Sequence, residues 1–144
     1  MLDLPLLAEY GTYHRDKRNL VCHEIGIPLI VLAIVALMRL AHAGPVDLAM
    51  LALVAVSIYY FRLAGFAALG AVALLVVLYF VSLFVSWPVA VGMFVVGWIF
   101  QFVGHAYEGK SPAFLTNIQH LLVGPLWIVA VLQARLAPRR ARID

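Results

Sequence analysis

The chain is predicted to be an all-α integral membrane protein: an interfacial N-terminal helix, four transmembrane helices, and a fifth kinked or re-entrant C-terminal hydrophobic helix. Three observations lead there. Only 12% of the residues are charged and 65% are hydrophobic, whereas a soluble domain carries about a quarter charged residues. The charge is also unevenly placed. No Asp, Glu, Lys or Arg occurs from Ile25 to Met38, from Leu48 to Phe61, from Leu63 to Tyr107 or from Ser111 to Ala134, and such runs approach or exceed the length needed to cross a bilayer. Finally, the runs are continuous rather than alternating, which in lipid means helices, because only helices and closed barrels satisfy every backbone group there.

The elements follow in order within one membrane domain, residues 1–144. Residues 5–20 read as an interfacial helix, too polar to cross because Glu9, Arg15, Asp16, Lys17 and Arg18 interrupt it. The same charges, with no basic stretch at the start, argue against a cleavable signal peptide. Gly26 and Pro28 mark the entry to a first span over 25–41, with proline expected near its first turn. Gly44-Pro45 then turns the chain into a second span, 46–63. The link at Arg62–Gly65 is so short that the third span, 66–85, should be its antiparallel neighbour. Trp87-Pro88 opens a fourth, 88–104. The last apolar segment, 114–136, is interrupted by Gly124-Pro125. It leaves about twelve residues of helix, or about 18 Å, short for a hydrocarbon core of about 30 Å.

Span counting sorts the histidines. Four crossings separate His23 from His105, so His14, His23, His105 and His120 share one membrane face and His42 lies on the other. His42 is expected to have no role. Arg15, Lys17, Arg18, Arg62 and Lys110 accompany the four, against Arg39 opposite, which makes the histidine face cytoplasmic by the positive-inside rule. The C-terminal arginines favour that face too, and with it a broken element over a fifth full crossing. The net charge of +3 and pI near 9.3 reflect these span ends; no solvated basic face exists to hold nucleic acid.

Imidazole is the commonest transition-metal ligand, and four imidazoles at a membrane face point to a metal enzyme acting on a lipid-like substrate. Helical spacing supplies neighbours. Gln101, His105 and Glu108 lie at i, i+4, i+7; Tyr10 precedes His14 and Asn19 precedes His23 by four; Asn117 precedes His120 by three. Tyr10, Asn19, Gln101 and Asn117 are therefore candidates to orient the imidazoles by hydrogen bonding. His14 and His23 are nine apart, about 180° around a straight helix, so they can share a metal only if the chain turns, which is expected near Arg18–Asn19. Cys22, the single cysteine, excludes an internal disulfide and reads as a small packing residue rather than a ligand. A haem carrier would need histidines facing one another inside the bundle. A transporter would hold polar residues at midplane, where the first three spans offer only Ser57 and Ser82. Zinc would accept the same imidazoles as iron.

The pattern Tyr10-x3-His14-x4-Asn19-x3-His23-x2-Gly26-x-Pro28, paired with Gln101-x2-Gly104-His105-x2-Glu108-x3-Pro112-Ala113, resembles the membrane 2-hydroxy fatty acid dioxygenase (Mpo-like) family of fungi and bacteria. The tight HxxxH and HxxHH clusters of diiron desaturases are absent. The resemblance implies an Fe(II)-dependent dioxygenase of fatty acid α-oxidation, shortening a 2-hydroxy fatty acid by one carbon with O2, in a bacterial inner membrane. By motif it makes His14, His23 and His105 iron ligands, with Asn19 and Glu108 beside them. A substrate chelating through carboxylate and hydroxyl, together with O2, leaves three protein positions on six-coordinate iron. His120 is then either a fourth metal ligand or a base for the hydroxyl proton, and His120 and Glu108 are the candidate catalytic groups. The alkyl tail is expected among the apolar walls of the bundle.

Overall fold

The computed structural model describes residues 9, 11–12, 14–109, 111 and 119–136, and is almost wholly helical. Five helices carry the architecture: α1 (Lys17–Met38), α2 (Leu48–Ala64), α3 (Leu69–Ser82), α4 (Trp87–Glu108) and α5 (Gln119–Leu136). A two-residue ladder, β1 (His42–Ala43) with β2 (Val46–Asp47), closes the turn between α1 and α2 and pairs His42 with Asp47. Three stretches are long and apolar enough to cross a membrane, Lys17–Met38, Leu48–Ser82 and Trp87–Glu108, with a shorter apolar helix at His120–Gln133. Large apolar side chains cover the outside; Phe66 is 87% exposed and Phe84 90%. A surface of that kind suits lipid rather than water.

Leu48–Ser82 is not one straight rod. Gly65, at φ +55, ends α2, and a short 3-10 turn over Gly65–Ala68 reverses the chain. The reversal is visible at the far end, where the Tyr79 hydroxyl donates to Asp47 Oδ2 at 2.9 Å. A straight helix would hold those residues about 48 Å apart. Asp47 also caps α2, accepting from Met50 N at 2.8 Å.

The entry to α1 differs from expectation. The helix begins at Lys17, with Asp16 as its N-cap accepting from Arg18 N, and not near Gly26–Pro28. Pro28 therefore sits inside the helix. The interfacial helix expected over 5–20 is not continuous: Glu9 and Gly11 are helical, His14–Asp16 are not, and Lys17–Leu20 already belong to α1. Residues 5–8 lie outside the described residues. The Arg18 side chain and backbone N–H hold the Asp16 carboxyl down to about 2, so this cap is in place above the ordinary 3.8 and is lost only as pH falls toward 2.

The most extensive helix pair is α1 with α4. They touch through backbone: a Cβ added at Gly26 would lie 2.8 Å from the Gly97 carbonyl, and one at Gly97 would lie 3.0 Å from the Gly26 carbonyl. Small residues permit this approach, as at helix crossings in membranes. Gly109 then ends α4 in the left-handed region at φ +67.

Helix α5 does not run the length of the bundle. It is continuous through Pro125 and makes contacts at the histidine end. Tyr60, in the last turn of α2, donates to the Leu122 carbonyl. Arg135 pairs with Glu24 at 2.7 Å. Val129 and Gln133 lie against Gly70 at the start of α3. Val123, Leu126 and Trp127 of α5 share one buried core with Ile27 of α1, Tyr60 of α2 and Leu75 of α3. Residues 112–118 lie outside the described residues.

Candidate metal centre at the mouth of an apolar cavity

Three imidazoles converge where α1, α4 and the preceding turn meet. His14 comes from the turn before α1, His23 from the second turn of α1 and His105 from the last turn of α4. One ring nitrogen from each lies within 4.8 Å of the others, and all three residues are buried. The ring centroids of His14 and His23 are 4.3 Å apart, and those of His23 and His105 4.8 Å. The break needed between His14 and His23 is present, over His14–Asp16 ahead of α1 rather than at Arg18–Asn19.

Hydrogen bonding sets the ring orientations. His23 Nδ1 lies 3.0 Å from the Asn19 carbonyl, a group that only accepts. Nδ1 must therefore carry the proton, leaving the Nε2 lone pair available. His105 Nδ1 is buried with no hydrogen-bond partner among the described residues, an expensive arrangement unless something else uses that lone pair. Gln101 Nε2, an amide donor, is likewise buried without an acceptor among the described residues. Three buried imidazoles so arranged could hold a metal ion, and the donor set suits iron or zinc alike.

Glu108 braces the arrangement. Its carboxylate accepts from Arg15 N at 3.0 Å, Asp16 N at 2.7 Å and Asn19 Nδ2 at 3.0 Å. A carboxylate on α4 thus ties down the turn that carries His14, at the N-terminus of α1 where negative charge is favoured. Gly104 makes the fit possible, since a Cβ there would stand 2.6 Å from Asn19 Oδ1 and 2.9 Å from Cys22 Cβ.

The remaining sequence candidates divide. His120 is buried but stands outside the three-histidine group; its Nε2 is 3.8 Å from Glu9 Oε2. His42 is exposed, on the β1–β2 turn away from the site. Cys22 is a buried free thiol and does not join the group. Tyr10 and Asn117 lie outside the described residues. Trp127, unassigned by sequence reasoning, packs its ring 4.8 Å from that of His14. It lies seven residues after His120, on the same helix face, which was the available signal.

Behind the histidines lies a cavity of about 450 Å³. His23, Gln101, His105 and His120 stand at one end, with Leu121, Leu122 and Pro125 of α5 beside them, and mostly apolar side chains of α1 to α4 line the rest. A polar head with a long apolar tail matches that division.

Comparisons with known proteins identify the family. The family model for 2-hydroxy-palmitic acid dioxygenase Mpo1-like proteins matches residues 5–69 and 66–136. The chain belongs to the Mpo1-like family. The 2-hydroxy-palmitic acid dioxygenase MPO1 of Saccharomyces cerevisiae is 32% identical over 138 residues, covering 90% of this chain and 79% of that protein. This Mpo1-like chain is accordingly an enzyme of the oxidoreductase kind. No solved structure matches it.

Proposed function

We propose that this protein is an Fe(II)-dependent dioxygenase of fatty acid α-oxidation that shortens a 2-hydroxy fatty acid by one carbon with O2. In balance, the carboxyl carbon leaves as carbon dioxide, C2 becomes the new carboxyl carbon, and one water is released. The observation that carries this reading is the convergence of His14, His23 and His105 at the polar end of an apolar cavity. Similarity to a 2-hydroxy-palmitic acid dioxygenase supports the substrate class.

His14, His23 and His105 would hold the iron, which when bound supplies the redox chemistry with O2 and a Lewis-acidic seat for substrate oxygens. The chain's own residues do the rest. Gln101, 7% exposed and facing the cavity, donates from Nε2 to an oxygen of the substrate head. His120, at the same end of the cavity and outside the triple, takes the hydroxyl proton at Nε2; Glu9 beside it leads toward solvent. Glu108 has a positioning role rather than a proton-transfer one, because its oxygens already serve Arg15, Asp16 and Asn19. The apolar walls hold the tail and keep water from the head.

A haem carrier is disfavoured by the ring spacing. Imidazoles on opposite faces of a macrocycle must stand further apart than the 4.3 and 4.8 Å found here.

We also propose four crossings, by α1, α2, α3 and α4, with α5 lying across the histidine end. The α2–α3 reversal and the contacts of α5 support this count. Arg15, Lys17, Arg18 and Arg62 near that end support a cytoplasmic histidine face in a bacterial inner membrane.

Anaerobic reconstitution with Fe(II), followed by O2 uptake with 2-hydroxypalmitate and with palmitate, tests the reaction. Uptake with the hydroxy acid alone is expected. Equal, negligible uptake with both would overturn the reading.

A further inference from the structure

The far end of the cavity is built as a stop. Along α1 its lining runs from His23 through Ile30 and Ile34 to Met38, about 22 Å of helix. At Met38 the lining passes to Ala49 on α2 and Tyr79 on α3. Tyr79 also belongs to a polar clasp formed with Arg39, the chain neighbour of Met38, and with Asp47, two residues before Ala49. Tyr79 donates to Asp47 Oδ2 at 2.9 Å, and Arg39 Nε lies 3.5 Å from the same oxygen. Arg39 Nη1 donates to the Ser82 carbonyl at 2.9 Å. The clasp joins the end of α1, the start of α2 and the end of α3, so the wall behind Met38 and Ala49 cannot open by sliding one helix.

Size makes the stop meaningful. An extended alkyl chain with carbon–carbon bonds of about 1.5 Å advances about 1.25 Å per carbon, so 22 Å accommodates about eighteen carbons. The lining between the histidines and Met38 is apolar, and each buried methylene there contributes about 0.8 kcal/mol. On its other side Asp47 borders a separate, smaller hollow of about 240 Å³ lined by Ala41, Val46, Leu48 and Leu51, and the clasp stands between the two.

We infer that Met38, Ala49 and Tyr79, held by the Arg39–Asp47–Tyr79 clasp, set the longest acyl chain this protein accepts. The inference rests on the proposed use of the cavity for the substrate tail. Met38 and Ala49 are the adjustable members. Leucine in place of Ala49 adds three carbon atoms to the floor, and alanine in place of Met38 removes three heavy atoms from it. In a close-packed interior such changes displace a comparable length of ligand.

The test is binding, measured without oxygen on the whole iron-loaded protein, by thermal stabilisation with saturated 2-hydroxy acids of increasing length. For the unaltered chain, affinity should rise about fourfold per added methylene and then break off sharply near the limiting length. Ala49→Leu should move the break about two to three carbons shorter, and Met38→Ala about as far longer, with iron content unchanged in both. If Ala49→Leu does not fold, Met38→Ala alone carries the test. Breaks at the same length in variant and unaltered protein, or no break at all, would overturn the inference. Binding with the expected breaks but no O2 consumption would leave the ruler in place and remove the proposed reaction; O2 consumption without a break would do the reverse.

Discussion

Asn19 on α1 and Glu108 on α4 stand 89 positions apart in the chain and are joined by a 3.0 Å hydrogen bond from Asn19 Nδ2 to Glu108 Oε2. The same oxygen accepts the Asp16 backbone N–H at 2.7 Å. One carboxylate therefore fixes both the helix bearing His23 and the turn bearing His14 to the helix bearing His105.

Removing that carboxylate should loosen the metal centre without touching a ligand. Glu108→Ala is expected to weaken metal affinity by about 10- to 100-fold, with faster amide exchange at Arg15 and Asp16. Metal titration and hydrogen exchange read the two effects. An unchanged affinity would mean that the turn holds itself.

The histidines should separate into two groups. His14→Ala, His23→Ala and His105→Ala are each expected to lose bound iron, whereas His120→Ala retains it and loses turnover by about 10²- to 10⁴-fold. Iron content beside O2 uptake distinguishes them. Loss of iron from the His120 variant equal to that from the His105 variant would show that the division of roles is wrong.

Gln101→Leu removes a buried donor with no partner among the described residues, so stability should hold or rise. Substrate binding should suffer, with kcat/KM falling by about 10- to 150-fold, the worth of a hydrogen bond to a charged group. A melting temperature lowered together with iron content would instead assign the amide a structural role.

Two glycines of α4 make a controlled pair. Gly104→Ala drives a methyl against Asn19 and Cys22 and should cost about 1–3 kcal/mol, together with metal affinity. Gly92→Ala meets nothing within 4 Å and should stabilise the helix by about 0.5–1 kcal/mol. Denaturation of the two variants in the same detergent compares them directly.

The helices were legible because charge-free runs report apolar helices directly. Span counting groups His14, His23 and His105 with His120, and only the motif of the family the chain resembles singles out the three that converge. Helix α1 begins at Lys17, ahead of the boundary that Gly26 and Pro28 predict, because a proline inside a membrane helix is tolerated where neighbouring groups satisfy the freed carbonyl. Asp16 before Lys17 was the better signal, since aspartate is a preferred N-cap. The role of Glu108 was illegible for a different reason: two of its donors are backbone N–H groups, which every residue but proline possesses. The cavity was hidden too. Its walls repeat the apolar periodicity of a packed core, and no pattern in a sequence marks where side chains leave a space unfilled.

The backbone contact between Gly26 and Gly97 bears on when the protein becomes competent. His14 and His23 are synthesised and inserted early, but His105 reaches them only after α4 has entered the membrane and settled onto α1. On the proposed metal-binding role, an ion offered during synthesis would meet two imidazoles and no enclosed site, so loading would follow the docking of α4 onto α1.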